Sequence, residues 1–213
     1  MGDRSLSPTV LKGAFVAYYA KSQQARTIVF QLNPESIQRS ILPPRPNSGF
    51  FKHGEARERI SFVLAVDARL GDDFFVENEE GDSHSVLSFL SAIELLAYPA
   101  DVINEITTTS DKSGFLGIGN YFTQLFRSSS KSNFPYVSLM LGSQRIIPVK
   151  IISILVTEQE FDTRLQPIRA SVEIVMDTQT KRESKRHAPT KEIFKRYLRL
   201  KVLLANNKAN PLS

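Results

Sequence analysis

From Arg59 to Asp67 the chain reads RISFVLAVD, and its apolar residues alternate. Ile60, Phe62, Leu64 and Val66 fall on one side of an extended backbone; Arg59, Ser61, Val63, Ala65 and Asp67 fall on the other. This predicts a strand whose second face, only half polar, meets another surface in part. Val10 to Tyr18 and Thr27 to Leu32 are rich in β-branched and aromatic residues, and the SQQ between them predicts a hairpin. Three further β segments are predicted: Tyr136 to Leu141, Arg145 to Val156, and Arg169 to Asp177. The first two are joined by a tight turn at Gly142-Ser143. The period changes in SVLSFLSAIELLAYP, where Val86, Leu87, Leu90, Ile93 and Leu96 recur at helical spacing until Pro99 ends the run. Ser83 or Ser85 is a candidate cap. A second helix is expected from about Thr190 to Asn206, with Ile193, Tyr197, Leu200 and Leu204 as its stripe and Pro189 where a helix start tolerates it.

Two stretches resist regular structure. Pro43, Pro44 and Pro46, followed by Asn47, Ser48 and Gly49, predict a loop. Thr107 to Asn133 is Thr- and Ser-rich at its ends but carries GFLGIGNYFTQLF at its centre, too apolar for a free linker. The pattern as a whole predicts an α+β, mainly β fold: a barrel or sandwich of about six strands with one inserted α-helix and a basic C-terminal helix. The domain is expected over 8–178 with an insertion at 105–133. A basic extension follows over 179–213, its helix at 190–206.

The chain has 213 residues, 41% of them hydrophobic, enough for a packed core. No window approaches the roughly 18 to 20 uncharged apolar residues of a membrane helix, and MGDRSLSPTV lacks the apolar region of a secretory signal. There is no cysteine, which removes disulfides and thiolate metal sites and suits synthesis in a reducing cytoplasm. The formal charge is +5, unevenly placed. Acids gather in GDDFFVENEEGD, Gly71 to Asp82, and nine basic residues lie between Lys181 and Lys201. Two solvated faces explain this simply; complementary contacts with neighbours are the sharper reading.

Little points to chemistry. GFLGIG lacks the Lys-Ser/Thr ending of a phosphate loop. His53, His84 and His187 are far apart and read as surface residues rather than metal ligands. Asp72 to Asp82 lacks the ligand register of an EF-hand and reads as a solvated loop. Glu158, Glu160 and Asp162 would share one face of a strand, yet they lead into a turn, where salt bridges to a partner fit better than metal binding or acid-base work. The basic C-terminal helix with Phe194 and Tyr197 could serve a nucleic-acid-binding β-barrel, but its aromatics fall on the apolar stripe, where packing explains them. No catalytic residue, cofactor or metal is expected, and the protein is not read as an enzyme.

The order of the segments carries a resemblance. LKGAFVAY, VFQLNPESIQRSI, RISFVLAVDARL and LSFLSAIELLAYP are followed by PYVSLMLGSQRIIPVKIISILVTEQEFDTRLQPIRASVEIVM. Within them stand NPES at Asn33 to Ser36 with Arg39, the helix ending at Tyr98-Pro99, the hairpin Gly142, Arg145, Pro148-Val149, and the run from Thr157-Glu158-Gln159 to Pro167-Ile168-Arg169-Ala170. Over about residues 10 to 177 the chain resembles the tube-protein domain of contractile injection systems, the phage-tail-like particles. The resemblance implies a tail-tube-like β-barrel that assembles into hexameric rings. Relatives with this signature often continue into a peptidoglycan-binding LysM module. The chain after Asp177 is too short and basic for one, so glycan binding is not expected.

The implied role is a tube initiator or adaptor, a hexameric ring near the baseplate between spike and inner tube; a main inner-tube subunit is the alternative. Implied partners are further copies of the chain, the spike protein, neighbouring tube and tube-initiator rings, and baseplate proteins. Nucleic acid and direct membrane insertion are not implied. Synthesis and assembly would be cytoplasmic, in a particle later released or anchored at a membrane. Contacts are expected on the 43–54 loop (Arg45, Phe50, Phe51), on the 107–133 insertion (Phe115, Leu116, Tyr121, Phe122, Phe126) and on the C-terminal helix (Lys195, Arg196, Arg199). Arg39, Arg145, Glu158 and Arg169 complete the expected interface.

Overall fold

In a computed structural model of the chain, the structure describes residues 11–19, 25–43, 56–70, 85–99, 134–185 and 187–209. Seven strands form one antiparallel sheet: β1 (Ala14–Tyr18), β2 (Ala25–Val29), β3 (Gln38–Leu42), β4 (Arg57–Asp67), β5 (Tyr136–Leu141), β6 (Arg145–Phe161) and β7 (Pro167–Thr178). Their order across the sheet is β2-β1-β5-β6-β7-β4-β3. The alternation in β4 is realised as predicted: Ile60, Phe62, Leu64 and Val66 are buried, and Val63 is exposed.

The expected closed barrel of about six strands is corrected to an open sheet of seven. The extra strand is β3, whose first residues, Gln38, Arg39 and Ser40, are polar and read as a loop entry; it is held by pairing to β4 from Gln38↔Ser61 to Leu42↔Arg57. The two edges, β2 and β3, do not pair with each other. The sheet nonetheless folds over on itself. Phe15 on β1, Phe30 just after β2, and Phe62 on β4 stand with ring centroids 5.2 to 6.2 Å apart, although β1 and β4 are far apart in strand order.

The β2 boundary also moves. The strand ends at Val29 rather than Leu32: Phe30 N still bonds Gly13 O (2.8 Å), but Phe30 and Gln31 are both buried, so the alternation stops there. Gln31 then replaces a strand pairing with its side chain: Nε2 donates to Asp67 O (3.0 Å) and Oε1 accepts from Asp67 N (2.8 Å). This clasp ties the chain after β2 to the end of β4.

Helix α1 (Ser85–Glu94), extended by a 3-10 turn over Leu95–Ala97, lays Val86, Phe89, Leu90, Ile93 and Leu96 into the same core. Tyr98 is extended before Pro99, as the clash of a proline ring with a preceding helical residue requires. In β6 the register slips by one residue between Ile151 and Ser153, so Ile151 and Ile154 both lie against the core while Ile152 is pushed out. After β7 comes a one-turn helix, α2 (Lys181–Ser184), started by a capping box: Thr180 Oγ1 accepts from Glu183 N, and the Glu183 carboxylate accepts from Thr180 N. The last helix, α3 (Ala188–Ala209), buries Thr190 and Tyr197.

Candidate interaction surfaces

One group of charges lies on the inner side of the sheet. Glu58 alternates into the core from β4, and its side chain is 6% exposed. An isolated carboxylate there would be costly, but three donors from two elements converge on it. Arg39 Nε on β3 donates to Oε1 (2.7 Å), Tyr197 Oη on α3 donates to Oε2 (2.7 Å), and Lys201 Nζ, one turn further along α3, also reaches Oε2. Burial works to raise the Glu58 pKa, but hydrogen bonds from Lys201 and Tyr197 and the charges of Lys201 and Arg39 outweigh it and hold the group below the ordinary carboxylate value. Burial and the Glu58 carboxylate push the Tyr197 hydroxyl well up. The hub pins α3 to the end of the sheet bearing edge strand β3.

A second polar group closes the other end of β4. Asp67 accepts from Arg69 Nε (2.9 Å), Arg69 Nη2 (2.7 Å) and Arg69 N (3.0 Å), which pulls its pKa down to about 2. Arg69 also pairs with Glu160 (2.9 Å), whose other oxygen faces Arg169 at 3.6 Å. Glu160 takes a left-handed φ of 50°, which breaks the strand alternation, and Asp162 is spent on the following turn, accepting from Arg164 N and Gln166 N at 2.8 Å each. Glu158, Glu160 and Asp162 thus do not form the single row that alternation suggests. Among the described residues no three acidic or histidine side chains are grouped to hold a metal ion.

The outer face of the sheet is built from registered rows. Val63, Glu173 and Leu155 sit side by side on β4, β7 and β6, and Ser61, Val175 and Ser153 form the next row. Val63, Leu155 and the bulged Ile152 are about half exposed or more. Edge strand β3 is exposed throughout; Leu42, paired with Arg57, adds to this outer face, while Ile41, paired with Glu58, is exposed on the inner side. On α3 the distal half is open: Leu198, Val202, Leu203 and Leu204 are exposed, so the stripe from Ile193 holds only as far as Leu200 and Leu204 leaves it.

No protein-family model matches the chain, and no curated protein matches it significantly.

The expected interface residues separate into three groups. Arg39 turns inward to Glu58. Arg145, Glu158, Arg169, Lys195, Arg196 and Arg199 are at the surface, with Lys195 pairing to Glu192 on its own helix and Arg169 facing Glu160. Arg45, Phe50, Phe51, Phe115, Leu116, Tyr121, Phe122 and Phe126 lie outside the described residues, as do His53, His84 and the Asp72 to Asp82 run. His187, read as a surface residue, is instead half-buried, its ring stacked on Tyr136 with centroids 4.4 Å apart and its Nδ1 2.9 Å from Thr190 Oγ1.

Sequence reasoning missed Glu58, Lys201 and the exposed apolar residues of β3 and β6. Glu58 sits one step before the alternating run, in phase with Ile60 and Phe62, and that phase was the available signal.

Proposed function

We propose that the chain is a structural subunit of a contractile injection particle, forming a hexameric initiator or adaptor ring between the spike and the inner tube. The observation that carries this reading is the open sheet. Among the described residues β2 and β3 are edge strands, each with one ladder unpaired, and β3 also exposes Ile41 and Leu42. Such an edge is a template for pairing with another chain, and repetition of one heterologous contact closes a ring. The outer row of Val63 and Leu155 gives a neighbouring surface something apolar to cover. The order of the NPES, YP and PIRA segments supports the same reading through the family resemblance.

The test is assembly. Light scattering of the purified chain at rising concentration should show a step to six copies, and mass spectrometry of purified particles should find the chain at about six copies per particle. A chain that stays monomeric and is missing from the particle defeats the proposal. A copy number in the hundreds would make it the main tube subunit instead.

A further inference from the structure

Helix α3 outruns the sheet that holds it. His187, just before its start, stacks on Tyr136 of β5, while Tyr197 and Lys201 reach Glu58, beside edge strand β3. The helix therefore crosses the end of the sheet from β5 toward β3, and about 12 Å of it follows Lys201. Leu204 falls on the same face as Tyr197, two turns on, yet is 60% exposed, since the helix has there passed the edge strand. The opposite face carries Lys195, Arg199, Val202 and Leu203, with both apolar residues more than half exposed. Arg199 acts on Glu192 through charge alone and forms no hydrogen bond or ion pair among the described residues.

The outer face of the sheet carries the complement. Glu173 is exposed on β7 and forms no hydrogen bond or ion pair among the described residues. Its neighbours on that face are uncharged: Val63 and Leu155 across the two ladders, Ser171 and Val175 along its own strand, and serine, alanine or threonine at the corners. The small residues keep the face shallow, and Val63 and Leu155 stand half exposed or more on either side of the carboxylate. A helix can lie on such a surface, with one negative charge at its centre. Tyr197 and Lys201 fasten α3 to the core side of its own sheet. The ridge of Arg199 and Val202 thus turns away from that sheet, whose outer face lies on the other side. One chain cannot bring the two together.

We infer that the distal turns of α3 in one copy lie on the outer face around Glu173 of the next, with Arg199 paired to Glu173. Opposite charges align the two faces, and Val202 and Leu203 cover Val63 and Leu155. The contact is heterologous, so each copy offers its helix to one neighbour and its sheet to another. Two helical turns on a sheet cover less than the roughly 1,200 to 2,000 Å² of a stable interface. The contact therefore rests on the proposed ring, which supplies the remaining area at β3, and α3 projects past that same edge.

Charge reversal tests the pairing. In the full chain, Glu173→Arg and Arg199→Glu should each weaken self-association about tenfold to a hundredfold in sedimentation, since each sets like charges against each other. The chain carrying both substitutions has an opposite pair at every interface and should associate like wild type. Single variants that associate like wild type, or a double variant no better than the weaker single, overturn the contact and leave a wild-type hexamer standing. A wild type that stays monomeric at every concentration overturns contact and ring together. The absence of native cysteine allows a second test. The full chain carrying both Leu155→Cys and Val202→Cys, oxidised at assembling concentration, should give linked chains of up to six copies, and neither substitution alone should link. A ladder that runs past six supports the contact and refutes the closed ring. A bridge within one chain, links in a single variant, or hexamers without links would mean that something else covers these faces, and each overturns the inference.

Discussion

Replacing Glu58 with Gln should release α3 from the sheet, at a cost the geometry sets. The substitution keeps shape and leaves an amide oxygen for Tyr197, but it removes the only charge that Arg39 and Lys201 share at that point. Removing one member of a fully buried ion pair costs about 3–5 kcal/mol. Arg39 and Lys201 are 34% and 37% exposed, so water recovers part of their solvation, and about 2–3 kcal/mol is the discounted figure. With a urea m-value of about 2 kcal/mol/M, the midpoint should fall by about 1–1.5 M at neutral pH with m unchanged.

The pH dependence gives an internal check. The folded Glu58 pKa lies below its unfolded value, so its stabilisation is complete above about pH 4.5. It is lost as pH falls through the folded value, where wild type and Glu58→Gln should converge. Tyr197→Phe removes one hydrogen bond to a charge, about 1.5–3 kcal/mol, and the double variant should fall short of the sum because both act through one carboxylate. A loss under about 0.5 kcal/mol in Glu58→Gln, the level of an exposed surface pair, would refute the reasoning.

Other parts of the fold make separate demands. Gln31→Leu leaves the N–H and C=O of Asp67 without their partner; it should cost about 2–4 kcal/mol in denaturant melts. Gly13→Ala would place a Cβ 2.6 Å from Cδ2 of the fully buried Phe30, an overpacking expected to cost about 1–3 kcal/mol and readable as a lowered melting temperature. His187, its pKa held down by burial and placed just before the start of α3, disfavours a proton in the folded state. Stability should therefore drop as pH falls below about 6.5, where the unfolded chain protonates first, and His187→Phe should flatten the profile between pH 7.5 and 5.

Local pattern made much of this fold legible. The period-two run in β4 and the helical run of α1 became the core because their apolar residues already lay on one face, and both keep their predicted type. What escaped depends on partners distant in sequence. QRSIL is polar enough to pass for a loop and is a strand only because β4 offers a free ladder beside it. Phe30 and Gln31 looked like the continuation of β2, yet among the described residues only Phe30 N keeps a backbone bond, to Gly13 O (2.8 Å), and Gln31 turns to Asp67 instead. The T-x-x-E box before α2 is a local signal that sequence alone carries. Among the described residues, the expected interface held only charges and missed the apolar Ile152, Leu155 and Leu165, whose exposure follows from a bulge, a sheet face and a turn rather than from composition.

The placement of the hub joins stability to assembly. Arg39 belongs to edge strand β3, Glu58 to the strand that β3 pairs with, and Tyr197 and Lys201 to α3. A neighbour that adds a strand at β3 needs that edge extended and in register, and β3 is a five-residue strand exposed along its length. Among the described residues, Arg39 ties its side chain to the core through Glu58. Loosening the hub should let β3 fray, and the fraction of chains with a competent edge then scales the apparent association constant. Glu58, at 6% exposure, has almost no surface with which to touch a partner. Glu58→Gln should nonetheless weaken self-association, and Tyr197→Phe should do so to a lesser degree. Sedimentation at matched concentrations reads this directly. If Glu58→Gln lost 2 kcal/mol of stability or more and its association constant equalled that of the wild type, α3 would be a brace for the core alone, and β3 would not be the edge through which subunits meet.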